Sequence, residues 1–141
     1  GFQLTRQYEE VDGEGKRTPA SDLETGDTVL VTLRFSCQEN VGYVAIDDAL
    51  PEAFTAINRA FKSRTANGQS LERTWTADFR EIRDDRVLFF RNHLPKGEHQ
   101  IRYLARVRAE GGFQAPPARI EEMYRPSRHG LSKPIRVESR R

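Results

Sequence analysis

The sequence predicts an all-β protein, an antiparallel β-sandwich of about 7–9 strands. Three observations carry that reading. Residues 28–37 (TVLVTLRFSC) and 99–109 (HQIRYLARVRA) alternate apolar and polar side chains, the period-two pattern of a strand with one face in a core and one in water. Glycine, proline, asparagine and aspartate punctuate the chain at short intervals. Helical periodicity surfaces only over residues 51–62.

In chain order, FQLTRQYE (2–9) alternates Phe2 and Leu4 against Gln3 and Thr5 and reads as a first strand. Residues 11–24 are glycine, proline and charge, a long surface loop. Thr25-Gly26-Asp27 turns into the strand at 28–37, where Val29, Val31, Leu33, Phe35 and Cys37 share one face. After a turn at Glu39-Asn40, VGYVAI (41–46) is a continuous apolar run, the mark of a strand covered on both faces. Over residues 51–62, Phe54, Ile57 and Phe61 have helical spacing behind Pro51, while FTAI suits a strand; a short helix and a strand both stay open.

Residues 71–81, carrying Leu71, Trp75 and Phe79, read as another strand, and the Arg83-Asp84-Asp85 turn leads into RVLFF (86–90). Leu94-Pro95-Lys96-Gly97 turns into the strand of 99–109, whose alternation only Leu104 breaks. Gly111-Gly112 and Pro116-Pro117 interrupt that strand and start an extended segment. Two further strands are expected near 119–124 and 134–138.

The 141 residues suit one domain with one core. The chain is polar, 36% hydrophobic and 31% charged, yet eight Phe, four Tyr and one Trp are ample core material. A net charge of +2 gives no reason to expect nucleic acid. Residues 119–141 hold seven Arg or Lys against three Glu, spread among prolines and serines without interleaved aromatics, which reads as a solvated edge. No apolar run approaches the length that crosses a bilayer, so no direct membrane contact is expected. The chain opens on Gly1-Phe2 straight into a strand, and is expected to be one domain of a larger protein.

Candidate chemistry is thin. Asp47-Asp48 and Asp84-Asp85 are adjacent pairs whose side chains point to opposite sides of a strand, so each offers one inward carboxylate at most; turn capping is the expected role. His93, His99 and His129 have no metal-ligand spacing and no cysteine partner. Cys37 lies in the apolar phase of its strand and is expected to be buried. No nucleophile elbow or phosphate loop occurs, so no catalytic residue, cofactor or metal site is expected. Glu121-Glu122-Met123-Tyr124 has two readings: an edge strand with Met123 and Tyr124 packed on the core, or a surface contact, since both types are favoured at interface centres.

The order of these segments resembles the C-terminal domain of bacterial α2-macroglobulins, the MG10 counterpart of the eukaryotic receptor-binding domain. The resemblance rests on Leu23, Gly26, Asp27, Val29 and Val31, on YVAIDDALPEAFTAIN (43–58), on RDDRVLFF, and on the series Tyr103, Arg106, Arg108, Gly112-Phe113, Pro116-Pro117, Glu121, Met123-Tyr124 and Pro126. Ala53 stands where the family often has glycine. The resemblance implies a macroglobulin-like sandwich in a large periplasmic or surface-exposed parent, often lipid-anchored, that traps proteases as a broad-spectrum endopeptidase inhibitor.

It implies no enzyme activity in this domain. The partners it implies are other domains of the parent, above all a thioester domain, and the trapped proteases. Met123 and Tyr124, with Glu121, would sit at the thioester-domain contact and keep water from that bond, a thioether and a phenol ring supplying apolar bulk. Cys37 lies outside any Cys-x-Glu-Gln motif and has no part in a thioester. A free-standing sandwich that binds carbohydrate or a cell-envelope protein is the alternative; it would expose aromatics such as Tyr8, Tyr43, Trp75 or Tyr124, most of which fall at expected inward positions.

Overall fold

A computed structural model describes residues 1–57 and 79–141. Every regular element among them is a strand. In chain order these are β1 (Phe2–Val11), β2 (Arg17–Pro19), β3 (Leu23–Glu24), β4 (Thr28–Cys37), β5 (Val41–Ala49), β6 (Phe54–Ile57) and β7 (Phe79–Ile82). There follow β8 (Arg86–Leu94), β9 (Gly97–Val107), β10 (Gly111–Ala115), β11 (Arg119–Glu122), β12 (Arg125–Leu131) and β13 (Ile135–Arg140). The all-β expectation holds. The thirteen described strands exceed the expected number because β2, β3, β6 and β7 are short pieces of two to four residues at sheet margins.

Two five-stranded sheets, β2-β1-β4-β9-β6 and β12-β11-β5-β8-β7, enclose the core, and a three-stranded sheet, β10-β13-β3, adds to it. All pairs are antiparallel except β13 with β3. The strand over 28–37 has the expected limits, and its alternation sets its register on both neighbours: Val31 lies opposite Tyr8 on β1 and Tyr103 on β9. Inward residues of the two large sheets meet in one cluster, in which Phe89 reaches Tyr103 across the sandwich at 6.0 Å between ring centroids.

Leu104, the residue out of phase in its strand, faces the other way. It packs on Leu30, directly opposite in register, with Val11 and Ile57 around them, as a small second cluster. The apolar run at 41–46 is central in its sheet, between β11 and β8, but is covered less than expected: Val41, Val44 and Ile46 are buried while Tyr43 is exposed. The helix that stayed open over 51–62 does not form in the described part, because Phe54–Ile57 pairs antiparallel with Leu104–Val107. The rest of that segment, and the strand expected around Trp75, lie outside the described residues.

Gly97, at φ 123°, makes the turn from β8 to β9 where a side chain would be strained. Gly130 is required by a close crossing: a Cβ there would lie 2.6 Å from the Phe2 carbonyl oxygen, so β12 reaches β1 only because this residue has no side chain.

Candidate functional site

The hairpin β11–β12 carries the residues singled out by sequence. Its connection is only Met123-Tyr124, two bulky side chains where a tight turn usually has glycine or asparagine. The register jumps from Glu121 opposite His129 to Glu122 opposite Arg125, a bulge that re-aims the tip. Met123 is 45% exposed and Tyr124 75%. Neither is packed on the core, so the edge-strand reading fails.

Tyr43 completes the tip. It sits on β5 beside the end of β11, where Glu122 pairs with Val44. Its carbonyl accepts a hydrogen bond from the Met123 N–H at 2.8 Å. Its ring meets that of Tyr124 edge-to-face, centroids 5.0 Å apart and planes at 82°. Among the described residues it is the one non-glycine at positive φ, 55°. The expectation that the candidate aromatics mostly look inward is therefore corrected: Tyr8 is buried, Tyr43 and Tyr124 are not, and Trp75 is outside the described residues. An apolar run carries no local signal that Tyr43 leaves the regular backbone. Glu121 is half-buried below the tip and held by Arg119 at 3.1 Å.

A second constellation lies in the core. Arg6 and Asp48, both with fully buried side chains, pair at 2.5 Å. Arg6 also donates to the Ala49 carbonyl at 3.2 Å and to the Pro116 carbonyl at 2.5 Å, and the Tyr103 hydroxyl donates to the other Asp48 oxygen. Burial, the largest influence, pushes the Asp48 carboxyl up from its ordinary range, while Arg6 and Tyr103 pull it back. Burial and then the Asp48 charge raise the Tyr103 and Tyr8 phenols.

This corrects the turn-capping role expected for Asp47-Asp48. Both lie within β5; Asp48 faces inward to Arg6, and Asp47 faces outward to Arg86 at 2.8 Å. The cluster joins β1, β5, β9 and the proline pair, and its Arg6 and Asp48 side chains are wholly out of solvent.

The remaining candidates stay apart. The Cys37 thiol is buried, raised by that burial, and donates to the Pro95 carbonyl at 3.3 Å. His99 and His129 each contact a backbone carbonyl of a nearby proline. Among the described residues no group of three or more His, Cys, Asp or Glu is placed to hold a metal. A recess of about 450 Å³ along β1, β4 and β9 is lined mostly by polar residues, among them Gln3, Arg34 and Gln100, with Phe35 beside them.

Comparison with known proteins places this geometry. Residues 1–127 match the family model described as the bacterial alpha-2-macroglobulin MG10 domain. The chain belongs to that family. An alpha-2-macroglobulin homolog of Nostoc sp. is 26% identical over 145 residues, covering 97% of this chain and 8% of the relative.

The crystal structure of Salmonella alpha-2-macroglobulin reacted with methylamine superposes with a TM-score of 0.82 at 26% identity, covering 99% of this chain and 9% of that one. The native Escherichia coli alpha-2-macroglobulin structure spanning domain MG7 to the C-terminus gives 0.77 at 25%, covering 99% and 23%. This MG10 domain thus spans less than a tenth of the Nostoc and Salmonella proteins.

Proposed function

We propose that this MG10 domain is a non-catalytic module of a bacterial alpha-2-macroglobulin-like, protease-trapping parent, and that it packs on and shields a thioester domain through Met123 and Tyr124, with Glu121 beside them. The observation that carries the reading is the tip itself: Met123 and Tyr124 on the hairpin and Tyr43 on the neighbouring strand are all exposed, the two tyrosine rings in contact and the Met123 N–H bonded to the Tyr43 carbonyl. Exposed apolar bulk flanked in sequence by the charged residues Glu121, Glu122 and Arg125 suits an interface centre with a polar rim. The Salmonella relative was captured after reaction with methylamine, and a small amine is a nucleophile of the kind that opens a thioester. A thioester persists only where water and amines are kept out, and an inserted methionine–tyrosine tip does that. Cleavage of the parent by a protease would withdraw the tip, a two-state switch carried by a domain interface. The parent would work on the periplasmic or extracellular side of the cell envelope.

The alternative, a free-standing module for carbohydrate, would also use exposed aromatics. The two tyrosines meet at 82°, however, and offer no flat platform on which a sugar ring could lie. The test is made in the full-length parent, with Met123→Ala and Tyr124→Ala combined. Spontaneous release of free thiol is expected to accelerate; a release rate equal to that of the wild type overturns the shielding role.

A further inference from the structure

We infer that Tyr43 is the positioning residue of the tip, held in a strained backbone conformation so that it fixes Tyr124 for docking. This rests on the reading that the tip packs on another domain of the parent.

Four observations converge on Tyr43. Its backbone has φ 55°, a region that side chains other than asparagine, aspartate and glycine seldom occupy. It lies inside a paired strand, flanked by Gly42 opposite His93 and Val44 opposite Arg91, where an ordinary extended residue would serve the sheet. Its carbonyl receives the Met123 N–H at 2.8 Å. Its ring abuts Tyr124 at 5.0 Å. Strain retained at an exposed residue that contributes nothing to the core points to a functional constraint.

The consequence is physical. Tyr124 is 75% exposed, and its ring meets that of Tyr43 edge-to-face. A ring free to rotate loses side-chain entropy when it docks, and a ring already braced loses less. Tyr43 supplies the brace, and its own half-exposed face extends the apolar contact.

The experiment uses the full-length parent in its native state and follows nitration of the Tyr124 ring by mass spectrometry, alongside thermal melting. Three variants are compared: Tyr43→Phe, which keeps the ring; Tyr43→Asn, which suits the left-handed backbone without a ring; and Tyr124→Phe as the assignment control. In the wild type, Tyr124 is expected to be protected. Tyr43→Asn is expected to raise its nitration rate roughly 2- to 10-fold, the population shift that loss of one edge-to-face contact produces. Its melting temperature should hold or rise, because asparagine relieves the strain; Tyr43→Phe should match the wild type.

A merely structural residue would behave oppositely, lowering the melting temperature when replaced, and that result overturns the inference. Protection of Tyr124 that persists unchanged in Tyr43→Asn also overturns it, while leaving the docking reading in place. Rapid nitration of Tyr124 in the native wild type overturns the docking reading and this inference together.

Discussion

Replacing Arg6 by methionine tests how the interior of the fold is held. Methionine keeps a long unbranched stem, so the change removes the guanidinium with little loss of packing. The Asp48 pair at 2.5 Å is lost, as are the donations to the Ala49 carbonyl at 3.2 Å and the Pro116 carbonyl at 2.5 Å. Asp48, with a side chain wholly out of solvent, keeps only the Tyr103 hydroxyl. Removing one partner of a buried ion pair costs about 3–5 kcal/mol, and a carbonyl left unpaired moves the figure toward the upper end.

For a domain of this size each kcal/mol lowers Tm by roughly 3–4 °C, so Arg6→Met should melt about 10–20 °C below the wild type. Thermal and urea denaturation of the 141-residue chain supply the assay. The second variant, Arg6→Met with Asp48→Leu, removes both charges and should recover much of the loss, since apolar replacement of a whole buried pair is often neutral. It should not recover all of it, because Tyr103 and Pro116 still lack their partners. A drop smaller than about 3 °C in Arg6→Met, or a double variant less stable than the single one, refutes the reasoning.

Two further outcomes follow from the same geometry. Gly130→Ala forces a Cβ to within 2.6 Å of the Phe2 carbonyl, a backbone atom that cannot rotate away, and should cost about 1–3 kcal/mol in urea denaturation. The phenols of Tyr8 and Tyr103 are raised in the folded state, chiefly by burial, so their contribution is complete below the unfolded-state value near pH 10 and is lost as pH climbs above it. Stability measured by urea should therefore fall steeply above about pH 10, by up to roughly 1.4 kcal/mol per pH unit for each phenol, and a flat profile there would count against burial as the cause.

Legibility in the sequence followed the range of the interactions. The strand at 28–37 was readable to its ends because alternation is a local property and turns bound it on both sides. The Arg6–Asp48 pair was not, since its members are 42 residues apart and two adjacent aspartates resemble a turn. A signal existed nonetheless. Arg6 continues the inward phase of Phe2 and Leu4, and a charge aimed into a core requires an opposite charge on a facing strand. Residue types and resemblance mark the tip, but its exposure is not legible in the sequence, because only pairing decides whether Met123 and Tyr124 extend an edge strand or form a turn. Tyr43 was hidden by its neighbours: an apolar run gives no warning that one member leaves the regular backbone.

The two constellations, one buried and one exposed, act on the same short strand. β11 has four residues and lies against β5 from Arg119 opposite Asp47 to Glu122 opposite Val44. At the entry to β11, the Pro116-Pro117 pair offers no N–H and accepts from Arg6 through the Pro116 carbonyl, while the next N–H, that of Ala118, donates to the Ser132 Oγ at 2.8 Å. At the exit, the Met123 N–H is taken by the Tyr43 carbonyl. Asp48 and Tyr43, the residues that organise the two ends, both belong to β5. In the proposed docking role the tip has to resist being pushed back, and four residues of ladder alone would resist weakly. The entry is thus tied to β5 through Arg6 of β1 and its Asp48 partner, and the exit directly through Tyr43, so a buried charge pair and a strained tyrosine brace the two ends of β11 against the central strand of its sheet.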